Sequence, residues 1–155
     1  MARGRSSQPP LFTPPGKIVL LLSGGIDSAT LALLLRDAGS NVVSLFIDYG
    51  QRAAPAEWRA ARKVCSRLGL LPPVTVNLSS IGKVLRGNLV QRTARSTSRA
   101  EAASRDTSDF LPHRNALLAT AAAAIAADVG ATHVGLGLIG GSEHRYPDTS
   151  PLFLK

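Results

Sequence analysis

The chain has 155 residues, 45% of them apolar and only 5% aromatic, with a single cysteine and a formal net charge of +8. This length fits one domain that can bury a core of Ala, Leu, Val and Ile. The lone Cys65 excludes an internal disulfide and a cysteine cage for zinc within this chain, and there is no apolar run of about 20 residues and no apolar leader, so a cytoplasmic protein without a membrane partner is expected.

Residues 1–16 carry Pro9, Pro10, Pro14 and Pro15 and little that could pack, so they read as a flexible arm ahead of one domain over 17–155. The apolar run over 17–22 predicts a central strand covered on both faces. A helix follows over about 27–38, with Ala29, Leu33 and Leu34 expected on its buried stripe and Gly39 stopping it. A second strand over 41–47 leads to Asp48-Tyr49-Gly50-Gln51-Arg52. The next helix, 53–68, places Trp58, Ala61, Val64, Cys65 and Leu68 at helical spacing, and Gly69 caps it. A third strand spans 74–78. Strands and helices alternating at these lengths mean right-handed crossovers and a parallel sheet.

Over 79–109 no period is sustained, and Lys83, Arg86, Arg92, Arg95, Arg99 and Arg105 make a basic stretch with no aromatic groups to stack bases. It reads as a mobile basic loop, either simply solvated or a lid. A last helix over 113–129 carries Leu117, Leu118, Ala121, Ala122, Ile125 and Val129 on one stripe, and a fourth strand spans 132–138. The fold class is therefore α/β, a Rossmann-like parallel sheet of at least four strands in the order 3-2-1-4 with helices on both faces.

The chemistry is concentrated in Ser23-Gly24-Gly25-Ile26-Asp27-Ser28. A buried strand, a two-glycine turn and a helix start present bare backbone N–H groups at a positive dipole end, which suits an oligophosphate. A Walker loop would need a longer turn ending in Lys-Ser or Lys-Thr, and a dinucleotide fingerprint would need three spaced glycines; neither is present.

This turn resembles the PP-loop of the ATP pyrophosphatases, which share the adenine nucleotide alpha hydrolase-like fold. Four blocks in order make the chain similar to the 7-cyano-7-deazaguanine synthase (QueC) family: SGGIDS, Asp48 to Arg52, Pro112-His113-Arg114-Asn115 and Tyr146-Pro147-Asp148. The resemblance implies a ligase that forms C–N bonds with ATP cleaved to AMP and pyrophosphate. A 7-deazaguanine carboxylate is adenylated, converted to the amide with ammonia, then adenylated again and dehydrated to the nitrile used in queuosine biosynthesis. It further implies that Ser23, Gly24, Gly25, Ile26, Asp27 and Ser28 hold the phosphates, with Asp27 placing magnesium. Arg52, Arg114, Gly135 and Gly137 join the nucleotide site, and Asp27, Arg114, Asn115 and Asp148 serve the chemistry. ATP and magnesium are the implied cofactors.

The chain departs from the family pattern at His113, where a glycine is usual, at Thr149, where a cysteine is usual, and at Gly140, Gly141 and Ser142, where acidic residues are usual. The zinc-bearing segment with its four cysteines is absent, so zinc is not expected here. The expectation is a chain that binds ATP and a deazapurine carboxylate, pairs with a dimer mate or second polypeptide, and does not complete nitrile synthesis alone. A non-catalytic nucleotide-binding module and an RNA-modifying adenylating enzyme are the alternatives, with RNA the less favoured partner.

Overall fold

The computed structural model describes residues 16–85, 90, 111, 113–138, 149–150 and 153. Its elements run β1 (Lys17–Leu21), α1 (Ile26–Asp37), β2 (Asn41–Asp48), α2 (Ala54–Leu68), β3 (Val74–Asn77), a single helical turn α3 (Ser79–Gly82), α4 (Arg114–Val129) and β4 (His133–Gly135). The sheet has the expected order β3-β2-β1-β4. All three pairings are parallel, with Leu21 beside Leu45, Leu20 beside Gly135 and Asp48 beside Asn77.

Alternation along the strands divides the core in two. Ile18, Leu20, Leu22, Val42 and Phe46 face α1 and α2, packing on Ala32, Leu35, Ala61 and Cys65. Val19, Leu21, Leu45 and Ile47 face α4 and pack on Ala122 and Ala126. Leu20, Leu22, Leu45 and Val19 are almost wholly buried, and each contributes about 1.5–3 kcal/mol relative to an exposed position. Small residues on the helices let them approach the sheet closely, which explains a core with so few aromatic groups. Cys65 lies within it as a buried apolar group whose thiol donates to Ser44 Oγ at 3.4 Å.

Three expectations change. The sheet takes the Ser28, Ala32 and Leu35 face of α1, while Leu33 and Leu34 are 38% and 51% exposed. This helix is apolar nearly all round, so periodicity alone could not choose its face. The fourth strand is shorter than 132–138, because after Gly135 the chain leaves the sheet to run past the start of α1. Finally, the stretch over 79–109 opens with the helical turn α3, whose Ser79 N–H donates to Asn77 Oδ1 at 2.9 Å. The remainder of that stretch apart from 83–85 and 90, the arm over 1–15 and the Tyr146-Pro147-Asp148 block lie outside the described residues.

Candidate active site

The first wall is the turn between β1 and α1. Leu22 N–H still donates to Leu45 O at 2.8 Å, and there the chain leaves the sheet. Gly24 then takes φ +79°, and a Cβ on it would lie 2.5 Å from Ala60 Cβ and Ala61 N. Only glycine fits so close to the α2 backbone. Gly25 is different, because it is the helix N-cap at φ −70°, ψ 165°, and a Cβ there would meet nothing closer than Ser23 Oγ at 3.4 Å. The hydroxyls brace the turn: Gly25 N–H donates to Ser23 Oγ at 3.3 Å, Ser28 Oγ–H donates to Gly25 O at 3.1 Å, and the two hydroxyls are 3.3 Å apart. The first helical bond is Ala29 N–H to Gly25 O at 2.9 Å. The Ile26, Asp27 and Ser28 amides therefore point out of the helix end, where the dipole favours an anion. Gly137 presses on this turn, since a Cβ on it would lie 2.9 Å from Ser28 N and 3.0 Å from Asp27 C.

The second wall is the loop after β2. Gly50 N–H donates to Asp48 Oδ1 at 2.9 Å, and the buried Gln51 closes the turn from within. Gln51 Oε1 accepts from Tyr49 N–H at 2.9 Å, while Gln51 Nε2 donates to Ile47 O at 3.2 Å and to Glu57 Oε2 at 2.9 Å. Beneath it, Gly50 and Gly82 meet backbone to backbone; a Cβ on Gly82 would lie 2.6 Å from Tyr49 O.

The third wall is the start of α4. Its N-cap, His113, has φ 56°, ψ 19°, the one positive φ outside glycine among the described residues. That left-handed residue turns Arg114 and Asn115 toward the sheet. Asn115 is buried, and Arg114 Nε donates to its Oδ1 at 3.3 Å. The Arg114 guanidinium also lies near the Tyr49 phenol. Burial pushes the Tyr49 phenol above its ordinary value of 10.0, against the Arg114 cation and helped by the Glu57 carboxylate. The phenol thus stays protonated near neutral pH.

The three walls enclose a cleft of about 220 Å³ at the carboxyl ends of β1, β2 and β4. That is where an open parallel sheet places its ligand. Ser23, Ser28, Arg114, Asn115 and Gly137 line it together. Asp27 sits exposed on the first turn of α1. Arg52 is exposed and not among the lining residues. Gly135 lies inside the sheet, where its missing Cβ leaves room for Leu20 Cδ1 and Ile18 Cδ1. Asp148 lies outside the described residues.

Tyr49, Gln51 and Glu57 also line the cleft, and the sequence reading did not place them there. For Glu57 a signal existed: it shares the Ala61 and Cys65 stripe at intervals of four, so it is a charged residue on the inward face of α2.

A family model described as queuosine biosynthesis protein QueC matches residues 17–155. The chain is similar to the 7-cyano-7-deazaguanine synthase of Campylobacter concisus, with 32% identity over 139 residues, covering 90% of this chain and 62% of that protein. It is also similar to the enzyme of the same name from Methanoculleus marisnigri, with 34% identity over 139 residues, covering 90% and 63%. It thus spans a little over three-fifths of the length of these curated relatives. Among solved structures, an NH3-dependent NAD synthetase from Campylobacter jejuni in complex with the nitrate ion aligns at 20% identity with a TM-score of 0.46, covering 90% of this chain and 67% of that one.

Proposed function

The chain belongs to the QueC family of queuosine biosynthesis proteins, and on that premise we propose that it binds ATP on residues 23–28 and activates the carboxylate of a 7-deazaguanine. The observation that carries this reading is the convergence in one cleft of Ser23, Ser28 and the Arg114 cation, beside the open amides at the start of α1.

In this reading the α1 amides hold the β- and γ-phosphates and leave the α-phosphorus facing the cleft. A carboxylate oxygen of the heterocycle attacks that phosphorus, and pyrophosphate departs onto the helix end. Ammonia then displaces AMP to give the amide. The later step to the nitrile, in which the amide oxygen attacks a second ATP and AMP leaves with loss of the two N–H protons, is the part this chain is not expected to complete alone. Arg114 stands where charge builds on the acyl oxygen and the α-phosphate. Because Asn115 holds its guanidinium, little reorganisation is needed during the step. The apolar cleft wall, with Leu22, Phe46, Leu118 and Leu136, keeps water from the acyl-adenylate.

Magnesium fits this site modestly. Asp27 is exposed on the first turn, and its carboxylate has no hydrogen-bond partner among the described residues. It would join phosphate oxygens and water around the ion, which neutralises phosphate charge when bound.

The test is exchange of labelled pyrophosphate into ATP, which reports the reversible first half-reaction. Exchange should depend on added 7-carboxy-7-deazaguanine. ATP binding with the same exchange in the presence and absence of that carboxylate would overturn the reading.

A further inference from the structure

Glu57 is the only acidic side chain lining the cleft among the described residues, and Arg114 is the only basic one. Both stand by the loop after β2, Arg114 near the Tyr49 phenol and Glu57 held by Gln51. The Tyr49 amide donates to Gln51 Oε1, and Gln51 Nε2 donates to Glu57 Oε2. The cleft therefore carries one group of each sign among mostly apolar lining residues.

Gln51 has little capacity left for a ligand, since both hydrogens of Nε2 and one lone pair of Oε1 are engaged within the loop. Glu57 has capacity. An ionised carboxylate offers about four acceptor positions and no donor. Gln51 occupies one and fixes the side chain, which leaves the others for a ligand.

An acceptor-only group suits a ligand edge with two adjacent donors. A guanine-type edge presents N1–H beside an exocyclic amino group and satisfies both carboxylate oxygens. An adenine edge presents a donor beside an acceptor, and the carboxylate repels that acceptor. Resting on the reading of the previous subsection, we propose that Glu57 is the specificity-determining residue that reads the N1–H and 2-amino edge of the heterocycle. Arg114 receives the carboxylate at the other end. The cleft thereby excludes the adenine ring of ATP from the heterocycle position and orients the acid toward the phosphate loop.

Calorimetry on the 155-residue chain saturated with a non-hydrolysable ATP analogue tests this, with 7-carboxy-7-deazaguanine and its analogue lacking the 2-amino group as probes. The wild-type chain should prefer the amino-bearing ligand by about 10-fold or more, as expected for a hydrogen bond to a charged group. Glu57→Gln, which keeps an acceptor for Gln51, should bring that ratio close to one and leave affinity for the ATP analogue unchanged. An N1-methylated ligand should lose affinity for the wild-type chain to a similar degree, which repeats the test without any mutation. Equal preference in wild type and Glu57→Gln, or full affinity for the N1-methylated ligand, overturns the assignment of Glu57 while the proposed function stands. Binding of the ATP analogue with neither heterocycle bound overturns the substrate class, and the inference with it.

Discussion

The two glycines of the turn between β1 and α1 have different physical reasons, and substituting each by alanine separates fold from the proposed ATP binding. At Gly24 an added Cβ meets α2 backbone and the Ala60 Cβ at 2.5–2.6 Å, and the residue must hold φ +79°. The left-handed conformation costs about 1–2 kcal/mol for a non-glycine residue. Overpacking against atoms that cannot swing away adds about 1–3 kcal/mol. Gly24→Ala should therefore destabilise by about 2–5 kcal/mol, a fall in melting temperature on the order of 10 °C for a chain of this size. At Gly25 the φ is −70° and the nearest contact is an ordinary 3.4 Å. Alanine is a poorer N-cap than glycine by several tenths of a kcal/mol or more. It also restricts the unfolded chain, which returns about 0.4–1 kcal/mol. These nearly cancel, so Gly25→Ala should melt within about 2 °C of wild type. In the proposed binding mode its methyl group nevertheless stands where the phosphates approach, so the upward shift in melting temperature caused by ATP should fall sharply. Scanning calorimetry of both variants with and without ATP measures all four quantities. Equal destabilisation by the two alanines, or an undiminished ATP shift in Gly25→Ala, would refute the division.

Two further outcomes are expected. His113→Gly should stabilise the chain by about 1 kcal/mol in denaturant titration, because it relieves the left-handed strain at φ 56° by more than the added backbone entropy of the unfolded state returns. Tyr49→Phe should flatten the loss of stability at alkaline pH. The folded phenol holds its proton above 10.0, so the wild-type contribution is complete below that pH and is lost as pH rises from there through the raised folded value. Chemical unfolding of both proteins across that window checks it, and parallel curves would count against a buried Tyr49.

The alternation of apolar strands with helical periods, the glycine stops and the two-glycine turn are local patterns, and from them the sequence by itself determined an α/β chain with a parallel sheet in the order 3-2-1-4 and singled out the turn after its first strand, here proposed to hold phosphate. The blocks around Arg114 and Asp48 were also visible as words. What those words do was decided by tertiary structure. His113 reads as a substitution in a motif, and only the backbone shows the left-handed turn that aims Arg114 and Asn115 into the cleft. Gly24 and Gly25 look alike in the sequence, yet α2 packs against one and leaves the other open, because the distance to Ala60 depends on a contact 36 residues away. Gly135 serves the sheet's own packing, whereas Gly137, two residues on, meets the phosphate turn. The buried face of α1 was ambiguous because its apolar residues surround the helix, and the sheet selected Ala32 and Leu35. Glu57 was not singled out by the sequence. A charge can lie on an inward stripe only where a partner meets it, and Gln51 reaches that carboxylate only after β2 and α2 have closed on one another.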